Sequence, residues 1–116
     1  MQQLLDVIEI ARRVPAPVDQ SDAVEWLRIH LAGPRPGVVT VVFHSVVMPY
    51  LTDDGREHLQ RVMEHAGSRA TVDAPLAWLS MEPGAGQADV HLTMWPGGER
   101  RLIAQSSFHG RDVKVL

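Results

Sequence analysis

Two residues that can exchange protons, His44 and Glu82, each follow a short and strongly apolar stretch of the sequence. In open α/β sheets, ligands bind outside the carboxyl ends of the parallel strands, so a parallel pair would bring both residues to one edge of the sheet. His44 is the candidate catalytic residue, because histidine acts as a general base or acid near neutral pH. Ser45, Tyr50 and Glu82 are candidate substrate-binding residues. Ser45 can instead close the turn after the strand, and Tyr50 can instead pack its ring on the core.

His109, which precedes Gly110 after the last strand of a predicted hairpin, is the remaining candidate for substrate binding. A structural hydrogen bond to a backbone carbonyl is the alternative. A metal-dependent hydrolase would need His44, Glu82 and His109 to converge within coordination distance, which their spacing alone does not establish. We therefore predict no metal ligands from the sequence.

The chain lacks the motifs of several other chemistries. It contains no cysteine, which excludes thiolate nucleophiles, disulfides and zinc–cysteine sites. The glycine-rich segment at residues 84–86 is not followed by a predicted helix, so it is not a phosphate-binding loop. No serine lies in a Gly-x-Ser-x-Gly setting, and no hydrolase triad is visible. We therefore expect no cofactor to bind to this chain alone.

The composition restricts the partners. A length of 116 residues is that of one domain, with 45% hydrophobic and 22% charged residues. The net charge of −3 and the pI of about 6.0 disfavour nucleic acids and acidic membranes, which attract basic proteins. The opening segment does not have the pattern of a signal peptide, and no apolar run approaches the roughly 20 residues that span a bilayer. We expect a cytoplasmic protein with a small-molecule substrate.

Apolar residues at helical spacing predict three helices. The first covers residues 2–13, and the second begins near Asp22, a good N-cap residue. Thr52 or Asp53 caps the third helix, and Gly67 lies where a left-handed C-terminal cap is expected.

Short apolar or alternating stretches predict the strands. Residues 38–43 are β-branched and apolar on both faces, which is typical of a strand buried in a parallel sheet. Residues 76–81 form a second strand, and with the third helix between them the two make a βαβ unit. Residues 90–95 and 100–107 predict an antiparallel hairpin with one wetter face, and residues 113–116 a last short strand.

This order of elements matches the carboxyl half of a Rossmann-like fold in a single α/β domain. Two leading helices occupy residues 1–36, and the βαβ unit and hairpin occupy residues 37–116. The strand at residues 38–43 would naturally lie inside a larger sheet, because at an edge it would be prone to association. The sequence therefore predicts a truncated chain, a domain of a longer protein, or a homo-oligomer that forms through an exposed sheet edge.

Several segments together resemble a family of uncharacterised bacterial proteins that is common in actinobacteria. The resemblance covers most of the chain from about residue 38 onward. It is carried by Val41-Val42-Phe43-His44-Ser45-Val46-Val47, Tyr50-Leu51, Ala74-Pro75-Leu76-Ala77-Trp78-Leu79, Glu82-Pro83, Leu92-Thr93-Met94-Trp95-Pro96-Gly97-Gly98 and His109-Gly110.

Longer members of that family look similar to class I S-adenosylmethionine-dependent methyltransferases, whose glycine-containing loop after the first strand has no counterpart here. The resemblance implies that His44, Ser45 and Tyr50 lie at the end of the fourth methyltransferase strand, where substrate is often contacted. Of the motif Asn/Asp-Pro-Pro-Tyr, only Pro49-Tyr50 is present.

Two main hypotheses follow from this resemblance. The chain is the substrate-side half of a methyltransferase-like domain, not catalytic alone, which would use S-adenosylmethionine only in a complete parent fold. Alternatively, it is a non-catalytic binding or oligomerisation module.

Overall fold

The computed structural model describes residues 2–13, 22–107 and 111–116. This part of the chain forms three α-helices, a short 3₁₀ turn and five strands. In chain order they are α1 (Gln2–Arg13), α2 (Ala23–His30), β1 (Thr40–Ser45), the 3₁₀ turn (Met48–Tyr50), α3 (Asp53–Ser68), β2 (Leu76–Pro83), β3 (Ala88–Trp95), β4 (Glu99–Ser106) and β5 (Val113–Val115). The predicted elements are all present; α1 has its predicted bounds, and the other boundaries are shifted by up to a few residues.

The five strands form one mixed sheet in the order β1-β2-β3-β4-β5. β1 and β2 are parallel, with Thr40 beside Leu76 and His44 beside Ser80, so the predicted pairing across α3 is confirmed. The remaining neighbours are antiparallel, and the β3–β4 ladder shifts register between Val90 and His91. The protein is therefore a mixed α/β fold with one parallel pair followed by an antiparallel meander.

The core lies between the sheet and two of the helices. α2 begins at its N-cap Asp22, whose carboxylate accepts a hydrogen bond from the backbone N–H of Glu25. α3 begins after Thr52, whose hydroxyl accepts from the N–H of Gly55 at 3.0 Å. Their apolar faces cover the side of the sheet that carries the even-numbered residues of β1 and β2. The buried residues are Val24, Leu31, Val42, Leu59, Val62, Met63, Ala66, Leu76, Trp78 and Trp95.

Gly67 does not form the predicted left-handed helix end. α3 continues to Ser68, and its C-cap Arg69 has a φ of −96°. Gly67 is instead the point at which the helix lies closest to the sheet. A Cβ atom there would overlap the Trp95 ring, which explains why this helical position lacks a side chain.

The prediction that the first strand is buried on both faces is wrong. β1 is an edge strand, and the side chains of Val41 and Phe43 are 57% and 58% exposed, whereas Val42 is buried. Side chains alternate across a strand, so only one set can face α2 and α3. Among the described residues, no helix packs on the opposite face.

α1 has the predicted bounds, yet its apolar side chains Leu4, Leu5, Val7 and Ile8 are exposed. Its pattern is that of an amphipathic helix whose apolar face contacts no other described element extensively. None of the helices within residues 2–13, 22–107 and 111–116 has the length and apolarity needed to cross a membrane.

Candidate functional site

His44 and Glu82 meet at the carboxyl ends of β1 and β2. Nδ1 of His44 lies 2.8 Å from Oε2 of Glu82, and the two side chains are only 11% and 15% exposed. The parallel register brings the two strand ends side by side, because His44 pairs with Ser80 two residues before Glu82. Two of the five residues selected from the sequence are therefore in direct contact.

The Glu82 carboxylate also accepts hydrogen bonds from the turn that follows β1. The backbone N–H of Val47 lies 3.1 and 3.0 Å from the two carboxylate oxygens, and the N–H of Met48 lies 3.0 Å from Oε1. These donors belong to the start of the 3₁₀ turn, where backbone N–H groups have no partner within the turn itself. Glu82 therefore fixes the turn after β1 to the end of β2.

The second ring nitrogen of His44 is also occupied. The indole N–H of Trp78 lies 2.9 Å from Nε2 of His44. An indole nitrogen can only donate, so Nε2 accepts and carries no proton. The ring proton is then on Nδ1 and is donated to Glu82. We call this arrangement of His44, Trp78 and Glu82, with the two turn N–H groups, the histidine cluster.

A strained residue connects β1 to this cluster. Val46 has a φ of 53°, a left-handed conformation that is unfavourable for a β-branched residue. Its own N–H donates to the carbonyl of Met81 at 3.0 Å, which continues the ladder to β2. The reversal at Val46 directs the N–H groups of Val47 and Met48 toward Glu82. The strain is thus held by the same contacts that complete the histidine cluster.

The other predicted site residues are not part of the cluster. Ser45 is half-buried in the last position of β1, beside Met81, and strand alternation places it on the opposite face from His44. Tyr50 is 84% exposed in the 3₁₀ turn. His109 lies outside the described residues. The proposed roles of these three residues stay predictions.

A polar groove extends from the histidine cluster across the helix-side face of the sheet, beyond the part that α3 covers. Its volume is about 380 Å³, within the range of roughly 300–1,000 Å³ found for small-molecule sites. We call it the polar groove. The residues that line it are His44, Met48, Gln60, Trp78, Ser80, Glu82, His91, Thr93 and Arg100.

Sequence reasoning identified only His44 and Glu82 among these nine residues. The polar residues that it missed on the sheet are Ser80, His91, Thr93 and Arg100. The registers place them in two adjacent rows, with Ser80 opposite His91 and Thr93 opposite Arg100. The alternation in the hairpin was the available signal, because it assigns His91 and Thr93 to one wetter face. The pairing of that face with Ser80 depends on a register that the sequence does not reveal.

The groove combines the permanent cation of Arg100 with the carboxylate of Glu82 and the ionisable ring of His91. Partial burial lowers the pKa of His91, and the nearby Arg100 guanidinium lowers it further, while Asp89 opposes the shift. Hydrogen bonds from Gln87 and Gln105 lower the pKa of Asp89. His91 is therefore held toward its neutral form, beside a permanent cation.

A second groove runs along the free edge of β1 and is mainly apolar. It has a volume of about 530 Å³ and lies between the strand and α2. We call it the edge groove. Its lining residues are Ala23, Val24, Trp26, Leu27, Val41, Val42, Phe43, His44, Val47, Leu51 and Leu59.

The described residues contain no group of three or more His, Asp or Glu side chains placed to hold a metal ion. His44 and Glu82 are close enough to share an ion, but they are hydrogen-bonded to each other. The hydrolase hypothesis also requires His109, which is not among the described residues.

The sequence profile of a family described as "Uncharacterized protein conserved in bacteria (DUF2332)" matches residues 1–114. No curated protein matches the chain, and no solved structure matches it.

Proposed function

The chain belongs to the DUF2332 family of uncharacterised bacterial proteins, and from its geometry we propose that it is a non-catalytic binding and assembly module. In this proposal the free β1 edge pairs with β1 of a second copy. The proposal is supported by the position of β1, an apolar strand at the edge of the sheet with no neighbour on its outer side among the described residues. Beside it lies His44, whose two ring nitrogens both form hydrogen bonds within the chain.

The histidine cluster argues against catalysis by His44. A general base needs a nitrogen that can reach the proton of a substrate. Nε2 of His44 faces the Trp78 indole and Nδ1 faces Glu82, so substrate access to either nitrogen would require breaking a hydrogen bond. The arrangement serves to hold the turn after β1 in place.

The edge of β1 offers a regular set of backbone hydrogen-bonding groups. The N–H groups of Thr40 and Val46 donate to Pro75 and Met81, so the even-numbered backbone groups point toward β2. The groups of Val41, Phe43 and Ser45 then point away from the sheet. Within the described residues, none of these three N–H groups has a backbone partner. Such an edge is a template for adding a strand.

The size of the surface predicts a weak dimer. β1 and the edge groove together contribute thirteen residues, about half of the roughly 20–30 per side in a standard interface. The edge groove provides space for alternate side chains of an added strand. β1 contains no Asp, Glu, Lys or Arg, so two copies would not repel each other at this edge. We expect association in the micromolar range, about −8 kcal/mol.

Cross-linking tests this pairing directly, because the natural chain has no cysteine. In an antiparallel two-fold pair that uses all three outward-pointing residues, Phe43 lies opposite Phe43 of the second copy, and Val41 lies opposite Ser45. Cα atoms in such a pair are about 5.5 Å apart, within disulfide range. Phe43→Cys should therefore form a disulfide-linked dimer under mild oxidation.

Val72→Cys is the matched control, because Val72 is 90% exposed and lies in the loop before β2. It should stay monomeric under the same conditions. Val41→Lys, a charge at the edge, should abolish the concentration-dependent increase of mass in sedimentation without changing thermal unfolding. Equal cross-linking of the two cysteine variants would contradict the proposed dimer. A monomeric mass of the unaltered chain at all concentrations would contradict it as well.

A second candidate is the substrate-side half of a methyltransferase-like domain with a Rossmann-like parent fold. It is favoured by the parallel βαβ unit, whose strand ends carry His44 and Glu82, since such ends are where α/β sheets bind ligands. We expect no S-adenosylmethionine binding to this chain alone. Calorimetric titration with S-adenosylmethionine and S-adenosylhomocysteine tests this, and micromolar binding would refute the non-catalytic proposal.

A further inference from the structure

We propose that the polar groove is a binding site for a small organic carboxylate with an aromatic or otherwise apolar body. This goes beyond the assembly proposed above and depends on different residues. The argument rests on four polar side chains, Ser80, His91, Thr93 and Arg100, and on the apolar wall beside them.

The first observation is that the groove contains donors with no partner inside the chain. Arg100 is exposed, like Arg101, and among the described residues its guanidinium forms no hydrogen bond or ion pair, unlike Arg28 and Arg56, which are paired with Glu25 and Asp53. The hydroxyls of Ser80 and Thr93 are also without an intramolecular hydrogen bond in the described part of the chain. Thr93 is only 6% exposed, and it lines the groove beside Ser80 and Arg100.

The second observation is that these donors converge. Thr93 lies between Trp78 and Arg100 in one cross-strand row, and His91 lies opposite Ser80 in the next. Directly opposed side chains have Cβ atoms about 4.5–5.5 Å apart, and diagonal neighbours lie about 7–8 Å apart. An oxyanion above these rows is within reach of the Arg100 guanidinium and the two hydroxyls at the same time.

The third observation is the charge of the groups around the groove, which disfavours a dianion. Arg100 is the permanent cation of the groove, and Asp89 is close enough to influence both His91 and Arg100. Glu82 adds a carboxylate at the far end, although its oxygens already accept three sets of hydrogen bonds. A phosphate dianion would meet one arginine and two carboxylates, whereas a carboxylate matches the planar fork of a single arginine.

The body of the ligand is set by the rest of the lining. Trp78, whose indole N–H belongs to the histidine cluster, and Met48 supply the apolar part of the lining. Met side chains adapt to irregular ligand shapes, and an indole face stacks on planar rings. An aromatic acid such as benzoate combines both requirements and is the probe we choose.

Benzoate titration followed by amide NMR shifts measures this binding, with benzamide and inorganic phosphate as comparison ligands. We expect a Kd of about 1 mM for benzoate. Benzamide and phosphate should bind at least roughly tenfold more weakly. Benzamide lacks the negative charge, and phosphate lacks the planar, singly charged group that the arginine fork recognises. Arg100→Gln should weaken benzoate binding by roughly tenfold or more.

Arg101→Gln is the matched control, since Arg101 is the next residue of β4, is exposed and points to the opposite face of the sheet. It should leave benzoate affinity within about twofold of the natural chain. No saturation by benzoate at about 20 mM, equal loss in both arginine variants, or phosphate binding as tight as benzoate would each overturn the proposal. The dimer cross-link is unaffected by these variants, so the two proposals fail separately.

Discussion

The histidine cluster and the polar groove are adjacent, and they differ in how their polar atoms are satisfied. In the cluster, both nitrogens of His44 and both oxygens of Glu82 have partners within the chain. In the groove, Ser80, Thr93 and Arg100 have none among the described residues. Polar groups that are saturated within the chain stabilise the fold, whereas the unsaturated polar groups that line the groove are available to a ligand.

This difference reverses the roles that residue type alone suggests. A histidine beside a glutamate at a strand end has the composition of an acid–base pair, yet here it fastens a strained turn. The residues that remain available are a serine, a threonine and an arginine on the antiparallel part of the sheet. Residue chemistry therefore indicates what a side chain can do, and its partners decide whether it is free to do it.

The largest expected effect comes from removing the carboxylate of the cluster. Glu82→Ala leaves three donors without an acceptor: the N–H groups of Val47 and Met48, and Nδ1 of His44. Each unpaired donor costs about 1–3 kcal/mol of stability unless water takes the place of the lost carboxylate oxygen. We expect a loss of about 3 kcal/mol in the free energy of unfolding, measured in urea. Glu57→Ala, an exposed carboxylate on α3, should change stability by less than about 0.5 kcal/mol. A loss below about 1 kcal/mol for Glu82→Ala would mean that the cluster does not stabilise the fold.

The close contact of α3 with the covered part of the sheet predicts a somewhat smaller effect. Gly67→Ala places a Cβ against the Trp95 ring, and overpacking of this kind costs about 1–3 kcal/mol even though alanine favours the helix. Gly33→Ala, with no atom within 4 Å of the added Cβ, is the control and should be nearly neutral. Urea unfolding of the two variants should differ by at least about 1 kcal/mol, and equal stabilities would contradict the close approach of the helix to the sheet.

Two threonine variants compare a hydroxyl without a hydrogen-bond partner among the described residues, that of Thr93, with one that has a partner, that of Thr52. Thr93→Val removes a hydroxyl that has no partner among the described residues, so we expect stability to be unchanged or raised by up to about 1 kcal/mol. Thr52→Val removes the N-cap of α3, which should cost about 1 kcal/mol. Thermal unfolding ranks the two variants. Destabilisation by Thr93→Val as large as that by Thr52→Val would show that the groove hydroxyl is satisfied and not available.

The smallest effect is the pH dependence contributed by His91. The pKa of His91 in the folded chain is lowered by partial burial and, to a smaller extent, by Arg100. At pH values between this lowered pKa and the usual histidine pKa of about 6.5, the unfolded chain therefore binds more protons than the folded chain. The contribution of His91 to stability is therefore present above about pH 6.5 and decreases as the pH falls below that value. Arg100→Gln should raise the pKa of His91, as followed by NMR titration, and Arg101→Gln should not. A lower pKa of His91 in the Arg100→Gln variant would contradict the conclusion that Arg100 lowers this pKa.

Much of the secondary structure follows from local rules. The cap at Asp22, the cap at Thr52 and the apolar periodicity of α3 were sufficient to place the helices. The prediction for Gly67 was wrong because a glycine near a helix end is usually a left-handed cap. Its actual role depends on the Trp95 ring, which is 28 positions later in the chain and reaches it only through the sheet.

The sequence by itself determined a mixed α/β chain with a βαβ unit and a hairpin, because hydrophobic period and capping are local properties. It also indicated that His44 and Glu82 would lie at neighbouring strand ends, since parallel pairing follows from the βαβ pattern. Only the tertiary structure decided that β1 is an edge strand, that Trp78 and Glu82 occupy both nitrogens of His44, and that Ser80, His91, Thr93 and Arg100 share one groove. These facts depend on strand order and register, and contacts between distant segments set both of them.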